Sequence, residues 1–198
     1  MNRNAQRMRL SLLSQNIQDL KSMLPQVQAL EPQVNAAAIA IAQTLLAGGK
    51  LLACGNGGSA ADASHLTTEF VCRFNKNRKP YAAISLATHG GDLTAIGNDY
   101  AFDDLFARQI EAFGRKGDVL TAFTTSGQSE NVHRALLAAK KCGVTSIAFL
   151  GKGGGKCAGL ADIEMIVPSA ITARIQEVHK LLLHTICEMV EVELQAVE

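Results

Sequence analysis

After Gly48-Gly49 the chain settles into short apolar runs separated by helical ones, and that rhythm admits few folds. The runs 51–54, 82–86, 119–123, 146–150 and 163–167 are too short for helices and are bounded by glycine or polar residues, so they read as strands. Between them, residues 59–73, 102–113 and 129–141 carry helical spacing. A last helical run from about 172 to 193 places Ile175, Val178, Leu182, Ile186, Met189 and Val190 on one face. Strands alternating with helices predict parallel βαβ units, hence an α/β fold with a five-stranded parallel sheet flanked by helices, flavodoxin-like in layout.

The first quarter is different. Apolar residues Met8, Leu12, Leu13, Ile17, Leu20 and Leu24 recur at helical spacing over about 6–24, a second helical run covers 34–46, and Pro25 and Pro32 punctuate the join. An N-terminal helical hairpin with apolar stripes wider than a small sheet can cover predicts that copies of the chain associate. The 198 residues suit one domain, 1–198, in which 1–47 is a helical extension used in oligomerisation.

Two of the predicted strands run into loops dense in glycine and hydroxyls. The first is Cys54-Gly55-Asn56-Gly57-Gly58-Ser59 and the second Thr124-Thr125-Ser126-Gly127-Gln128-Ser129. Glycine lets a backbone turn tightly and approach a ligand, while amide N–H groups and hydroxyls at a helix N-terminus offer donors and a partial positive charge. One such loop would be weak evidence, because strand-to-helix turns often carry glycine for geometry alone. Two at the ends of different strands point to one phosphorylated ligand held from both sides.

Composition narrows the class. A formal net charge of +1 and the lack of a long basic run argue against nucleic acid as a partner. Five scattered cysteines, never spaced as a metal-binding pair, indicate neither a disulfide framework nor a thiolate zinc site, and a reducing cytoplasm is the expected compartment. No stretch of about 18 apolar residues and no leader-like apolar segment occurs, so no membrane association is expected.

The two loops, read with Ala95-Ile96-Gly97-Asn98-Asp99-Tyr100 and with Thr172-Ala173-Arg174-Ile175-Gln176-Glu177-Val178-His179, resemble the sugar isomerase (SIS) domain family and, within it, the sedoheptulose 7-phosphate isomerases, also called phosphoheptose isomerases. Four separated motifs occur in the family's order, and the resemblance covers nearly the whole chain. It implies an aldose–ketose isomerase that converts sedoheptulose 7-phosphate to D-glycero-D-manno-heptose 7-phosphate for lipopolysaccharide heptose, working as a homotetramer with sites between subunits. By the same resemblance Glu69 and His184 are the acid–base pair, and His65, Glu69, Gln176 and His184 match positions that bind zinc in some members. Asn56, Gly57, Gly58, Ser59, Asn98, Asp99, Thr124, Thr125, Ser126, Ser129 and Gln176 match substrate contacts, with Ser59 also expected to cap its helix.

The residue types suit this chemistry. Moving a carbonyl between adjacent carbons of a phosphosugar requires removing a weakly acidic C–H proton, stabilising an enediolate and returning the proton next door. Glu69 lies one turn after His65, and His184 about two turns after Gln176, so each pair shares a helix face. Spacing alone favours a solvated helix contact for His65 with Glu69 and a hydrogen-bonded core role for His184; the order of the motifs favours function. His89, His133 and His179 read as surface or structural. Arg174 suits either a phosphate contact or an ion pair, and Gly151–Lys156 either an anion site or a plain βα loop. A non-catalytic SIS tetramer that binds the replication initiator has the same length and loops, but does not need the constellation of Glu69, His65, Gln176 and His184. A phosphosugar-sensing regulator would need an attached helix-turn-helix domain, for which there is no room.

Overall fold

The computed structural model describes residues 3–195, with side chains from residue 11 onward. In chain order the elements are α1 (Arg3–Gln28), α2 (Glu31–Leu46), β1 (Leu51–Gly55), α3 (Gly58–Val71), β2 (Ala83–Ser85), α4 (Gly90–Asp99), α5 (Leu105–Phe113), β3 (Val119–Thr124), α6 (Glu130–Cys142), β4 (Thr145–Gly151), β5 (Ile163–Val167) and α7 (Thr172–Gln195). The strands form one five-stranded parallel sheet, as the sequence pattern predicts, and its order is β2-β1-β3-β4-β5. From β1 the chain moves outward to β2 and then returns past β1 to β3. The order therefore reverses between β1 and β3, and the crevice at their carboxyl ends is where open α/β sheets hold ligands. Both glycine–hydroxyl loops leave the sheet there.

Alternation along the strands sorts the core into two layers. Leu51 and Ala53 of β1, Phe123 of β3, Phe149 of β4 and Val167 of β5 face α2, α3 and α7. Leu52, Cys54, Leu120, Ala122, Ala148 and Leu150 face α5 and α6. Buried carboxylates tie strand ends together: Asp118 accepts from the Lys50 N–H at 3.0 Å, the Lys50 ammonium at 2.6 Å and the Arg115 N–H at 2.8 Å.

Three local features depart from expectation. Helix α1 runs through Pro25 to Gln28, and the hairpin turns at Ala29-Leu30, closed by the Leu30 N–H on the Val27 carbonyl at 3.0 Å. An internal proline costs about 3 kcal/mol, but Met23 and Val27 are buried on either side of it, so packing of the last turns outweighs the lost hydrogen bond. Pro32 instead sits in the first turn of α2, where its missing N–H has no partner to lose. Helix α4 lies outside the expected helices: it begins Gly90-Gly91, contains Gly97 and has no fully buried residue, so only Leu93 and Ile96 hint at an apolar face. Of the expected apolar stripe on α1, Met8 lies outside the described side chains, while Leu12, Leu13, Ile17 and Leu24 are exposed.

His179 on α7 is fully buried beneath the sheet's aromatic pair, edge-on to Phe149 at 5.8 Å and to Phe123 at 6.1 Å. Its Nε2–H donates to the Leu150 carbonyl at 3.1 Å, and its Nδ1 has no partner. Burial pushes its pKa below the ordinary imidazole value, only partly opposed by that hydrogen bond. Above about pH 6.5 both folded and unfolded chains hold the imidazole neutral; below it the unfolded chain takes up a proton that the folded chain refuses. The stability contributed by the neutral ring is thus present above the unfolded pKa and lost as pH falls. The urea midpoint of the wild-type protein should decline between about pH 7 and pH 5.5, and His179→Asn should show a shallower decline. Parallel declines would remove His179 as the cause.

Candidate active site

Strand β1 ends at Gly55, and α3 starts at Gly58 after Gly57 turns the chain with φ +56°. Gly57 is the N-cap, with no side-chain capping bond, so the expected capping role of Ser59 is corrected: Ser59 lies inside the first turn, buried, where the chain has already become helical. A Cβ at Gly58 would lie 2.2 Å from Nε2 of Gln176, so the glutamine amide rests directly on the loop. The Asn56 amide makes a reciprocal pair with Asn131 of α6, at 2.8 and 2.9 Å. Asn131 was not singled out from the sequence. Its place as the second residue of α6, in a polar helix start, gives no signal, yet it is the buried residue that joins the two loops.

The second loop closes on its own hydroxyls. Thr124 Oγ1 lies 3.1 Å from Ser129 Oγ and 3.4 Å from Ser126 Oγ, and it accepts from the Gly127 N–H at 3.2 Å. Ser126 Oγ accepts from the Gln128 N–H at 3.1 Å. Ser129 is the N-cap of α6, but its hydroxyl turns to Thr124 and makes no capping bond to its own helix. Thr125, half-buried, completes the turn. Gly127 has φ +64°, and a Cβ there would lie 2.0 Å from the Gly154 carbonyl oxygen. The glycine-rich segment Lys152–Cys157 is therefore a buttress under this loop: the Cys157 N–H donates to the Gly127 carbonyl at 3.1 Å, and Lys156 pairs with Glu130. Lys156, joined by Arg134, holds the Glu130 carboxyl down to about 2.

Helices α3 and α7 lie side by side on the same sheet face and run in the same direction. Contacts climb both together: Gly58 against Gln176, Asp62 to Lys180 at 2.8 Å, and His65 to His184 with their Nε2 atoms 3.0 Å apart. His65 Nε2 also lies 3.0 Å from Glu69 Oε1. A ring nitrogen carries at most one proton, so with Glu69 ionised the favourable arrangement is His65 Nε2–H shared between Glu69 and an accepting His184 Nε2. Burial, and then the Lys180 ammonium, lower the His65 pKa against the pull of Glu69. The imidazole is thus biased toward the neutral form that can relay a proton.

The seam brings Glu69, His65 and His184 together, with Gln176 farther up at the first loop. As arranged, it is a hydrogen-bonded chain. Among the described residues, no group of three or more His, Cys, Asp or Glu side chains is set to hold a metal ion. The donor set itself, two imidazole nitrogens facing each other beside a carboxylate, has the chemistry of a zinc site.

Asn98 and Asp99 are exposed at the end of α4 and hydrogen-bond each other at 2.8 Å. No contact brings them to the seam within the described chain. Arg174 is buried and pairs with Glu177 at 2.5 Å, which realises its ion-pair reading. His89 is exposed at the start of α4, and His133 is half-buried near Glu130. A cleft of about 360 Å³, lined by Lys140, Gly143, Ser146 and Asp162, opens at the amino ends of β4 and β5, away from both loops. It lacks the seam's chemistry, so concavity alone does not mark the site in one chain.

The SIS domain model matches residues 15–151. The phosphoheptose isomerase of Paramagnetospirillum magneticum is 53% identical over 152 residues, covering 77% of this chain and 79% of that protein. Among solved structures, a phosphoheptose isomerase from Francisella tularensis superposes with a TM-score of 0.89 at 36% identity, covering 92% of this chain and 98% of its own. One from Neisseria gonorrhoeae gives 0.82 at 41% identity, covering 95% and 99%. Likeness at that identity over nearly full length, on a fold with two phosphate-type loops beside a Glu–His–His seam, means that the chain belongs to the SIS domain family and, within it, to the phosphoheptose isomerases.

Proposed function

We propose that Glu69 and His184 exchange the substrate proton while the two loops hold the sugar phosphate. The chain is an aldose–ketose isomerase that converts sedoheptulose 7-phosphate to D-glycero-D-manno-heptose 7-phosphate in heptose and lipopolysaccharide precursor synthesis. The observation that carries the assignment of residues is the convergence of Glu69, His65 and His184 on one seam whose upper end, at Gly58 and Gln176, opens on the first loop. In the reaction a C–H bond at C1 breaks and one at C2 forms, while a proton passes from O1 to O2 as the carbonyl moves from C2 to C1. No outside oxidant or reductant is needed. A carboxylate and an imidazole in contact through a second imidazole can take the carbon-bound proton, carry it and shuttle the hydroxyl proton. Thr124, Thr125, Ser126 and Ser129, with the first-turn N–H groups of α6, suit the phosphate; Asn56, Gly57, Gly58, Ser59 and Gln176 suit the sugar.

Zinc is the metal that this donor set suits, and His65, Glu69, Gln176 and His184 would hold it. When bound it supplies a positive charge that stabilises the enediolate oxygens. Asn98 and Asp99, exposed and away from the seam, fit a role toward sugar hydroxyls in a neighbouring subunit's site. The exposed Leu12, Leu13, Ile17, Leu24, Ile39 and Leu46 on α1 and α2 support assembly, which we take to be a homotetramer with sites completed between subunits. Free thiols at all five cysteines suit the cytoplasm, and no helix among the described residues is long and apolar enough to cross a membrane.

An NMR time course with sedoheptulose 7-phosphate, with and without added zinc, tests reaction, product and metal demand together. Glu69→Gln should lower turnover by roughly 10²-fold with little change in melting temperature, and full activity in that variant would overturn its role. Ser126→Ala and Ser129→Ala should weaken calorimetric binding of the phosphosugar more than that of the unphosphorylated heptose; equal weakening would remove the phosphate role. The two close-contact glycines should separate function from stability. Gly58→Ala displaces only the flexible end of Gln176, so activity should drop about tenfold with the fold intact. Gly127→Ala meets backbone at a positive φ and should destabilise by about 2 kcal/mol or more in denaturant titrations. Equal stability losses in both would contradict this division.

A further inference from the structure

The segment between α3 and β2 has no regular structure, yet its backbone is bonded to a buried side chain of α7. The buried Glu191 carboxylate on α7 accepts from the backbone N–H groups of Phe74, Asn75 and Lys76 at 3.0, 3.0 and 3.1 Å, and from Arg78 Nε at 3.3 Å. Arg78 continues the chain of contacts: it donates to the Glu69 carbonyl at 2.6 Å and the Phe70 carbonyl at 3.0 Å, closing the last turn of α3, while its guanidinium stacks 5.3 Å over Tyr81. Burial alone would push the Glu191 carboxyl up; the three N–H donors and the Arg78 charge more than offset it and hold it below the usual range.

This clasp is placed to act on the seam. Glu191 lies about two helical turns beyond His184, on the same side of α7. The loop that it gathers carries Phe74, whose ring packs against the His184 imidazole with centroids 5.5 Å apart and planes 30° from parallel. His184 therefore has two ring neighbours, Phe74 and His65, the latter at 5.0 Å. Phe74 is itself packed on the main core cluster, so it is anchored at its base as well as by its backbone. Four donors meet on one carboxylate, three backbone N–H groups and the Arg78 guanidinium, and they tie the backbone of Phe74, the residue stacked on His184, to that of Glu69 through Arg78.

Resting on the reading of Glu69 and His184 as the proton-transfer pair, we propose that the Glu191–Arg78 clasp is a positioning device: it seats Phe74 against His184 to fix the imidazole plane, and it pins the end of α3 that presents Glu69. Phe74, Arg78 and Glu191 are positioning residues that leave substrate binding to the loops. Loss of the ring frees the imidazole to turn away from the reacting carbons, and misplacements of that size cost rate rather than affinity.

The test is Phe74→Leu, with Phe74→Tyr as the conservative control, in the full-length protein with sedoheptulose 7-phosphate. Phe74→Leu should lower kcat about tenfold with KM changed less than about threefold, and Phe74→Tyr should restore most of the rate. In NMR spectra of ring-labelled histidine, the His184 signals should lose the ring-current shift of Phe74 in the leucine variant and keep it in the tyrosine variant. Wild-type kcat together with unmoved His184 signals in Phe74→Leu would overturn the proposal, as would a loss confined to KM. His184→Asn separates the two readings. Should it retain full turnover while the His184 signals still move in Phe74→Leu, the catalytic reading of His184 fails and the hold of Phe74 on the ring stands.

Discussion

The parallel packing of α3 against α7 is the contact on which the proposed chemistry depends. Both helices begin at the carboxyl edge of the sheet and descend the same face, so equivalent turns meet in step: Gly58 with Gln176, Asp62 with Lys180, His65 with His184. Close approach at the top is possible because residue 58 has no side chain. Lower down, the spacing accommodates two imidazoles and a carboxylate with room for their polar atoms to meet. Shifting one helix by a turn against the other would part His184 from His65 and Glu69. The buried Ile175, Val178 and Leu183 on α7 and Ala63, Leu66 and Phe70 on α3 set that register through the core.

The second constraint is the reversal of strand order at β1 and β3. It places two loops from distant parts of the chain side by side, and the reciprocal amide pair of Asn56 and Asn131 locks them there. The second loop is also buttressed by the glycine-rich turn at Lys152–Cys157, and the Gln176 amide packs against the first. Donors aimed at a phosphate are useful only when fixed before the ligand arrives, since preorganised groups need no reordering on binding. Positive-φ glycines at 57 and 127 serve that end, because a side chain at Gly127 would strike the backbone beneath it.

Much of this was legible in the residues. Short apolar runs mark all five strands, buried on both sheet faces, and helical spacing marks the helices with apolar stripes, because burial writes apolar patterning into sequence. Helix α4 escapes for the same reason, since none of its residues is fully buried and only Leu93 and Ile96 pack partly against the core. Pro25 was read as a helix end because local proline chemistry says so; the burial of Met23 and Val27 that overrides it is a tertiary fact. At the site, motif order pointed to Glu69, His65, Gln176 and His184. It could not reveal that Asn131 pairs with Asn56, that Phe74 packs on His184 or that Glu191 gathers the loop carrying Phe74, because an asparagine, a phenylalanine and a glutamate at those positions look ordinary until the chain brings them together. Ser59 was assigned a capping role by residue type, whereas the glycine before the helix had already taken the cap position.

A crystal structure of the Glu69→Gln variant soaked with sedoheptulose 7-phosphate tests the central claim most directly. The phosphate should lie on the hydroxyls of Thr124, Ser126 and Ser129, with C1 and C2 of the sugar between residue 69 and His184 at the α3–α7 seam. A phosphate bound elsewhere, or a sugar whose first two carbons lie away from that seam, would contradict it.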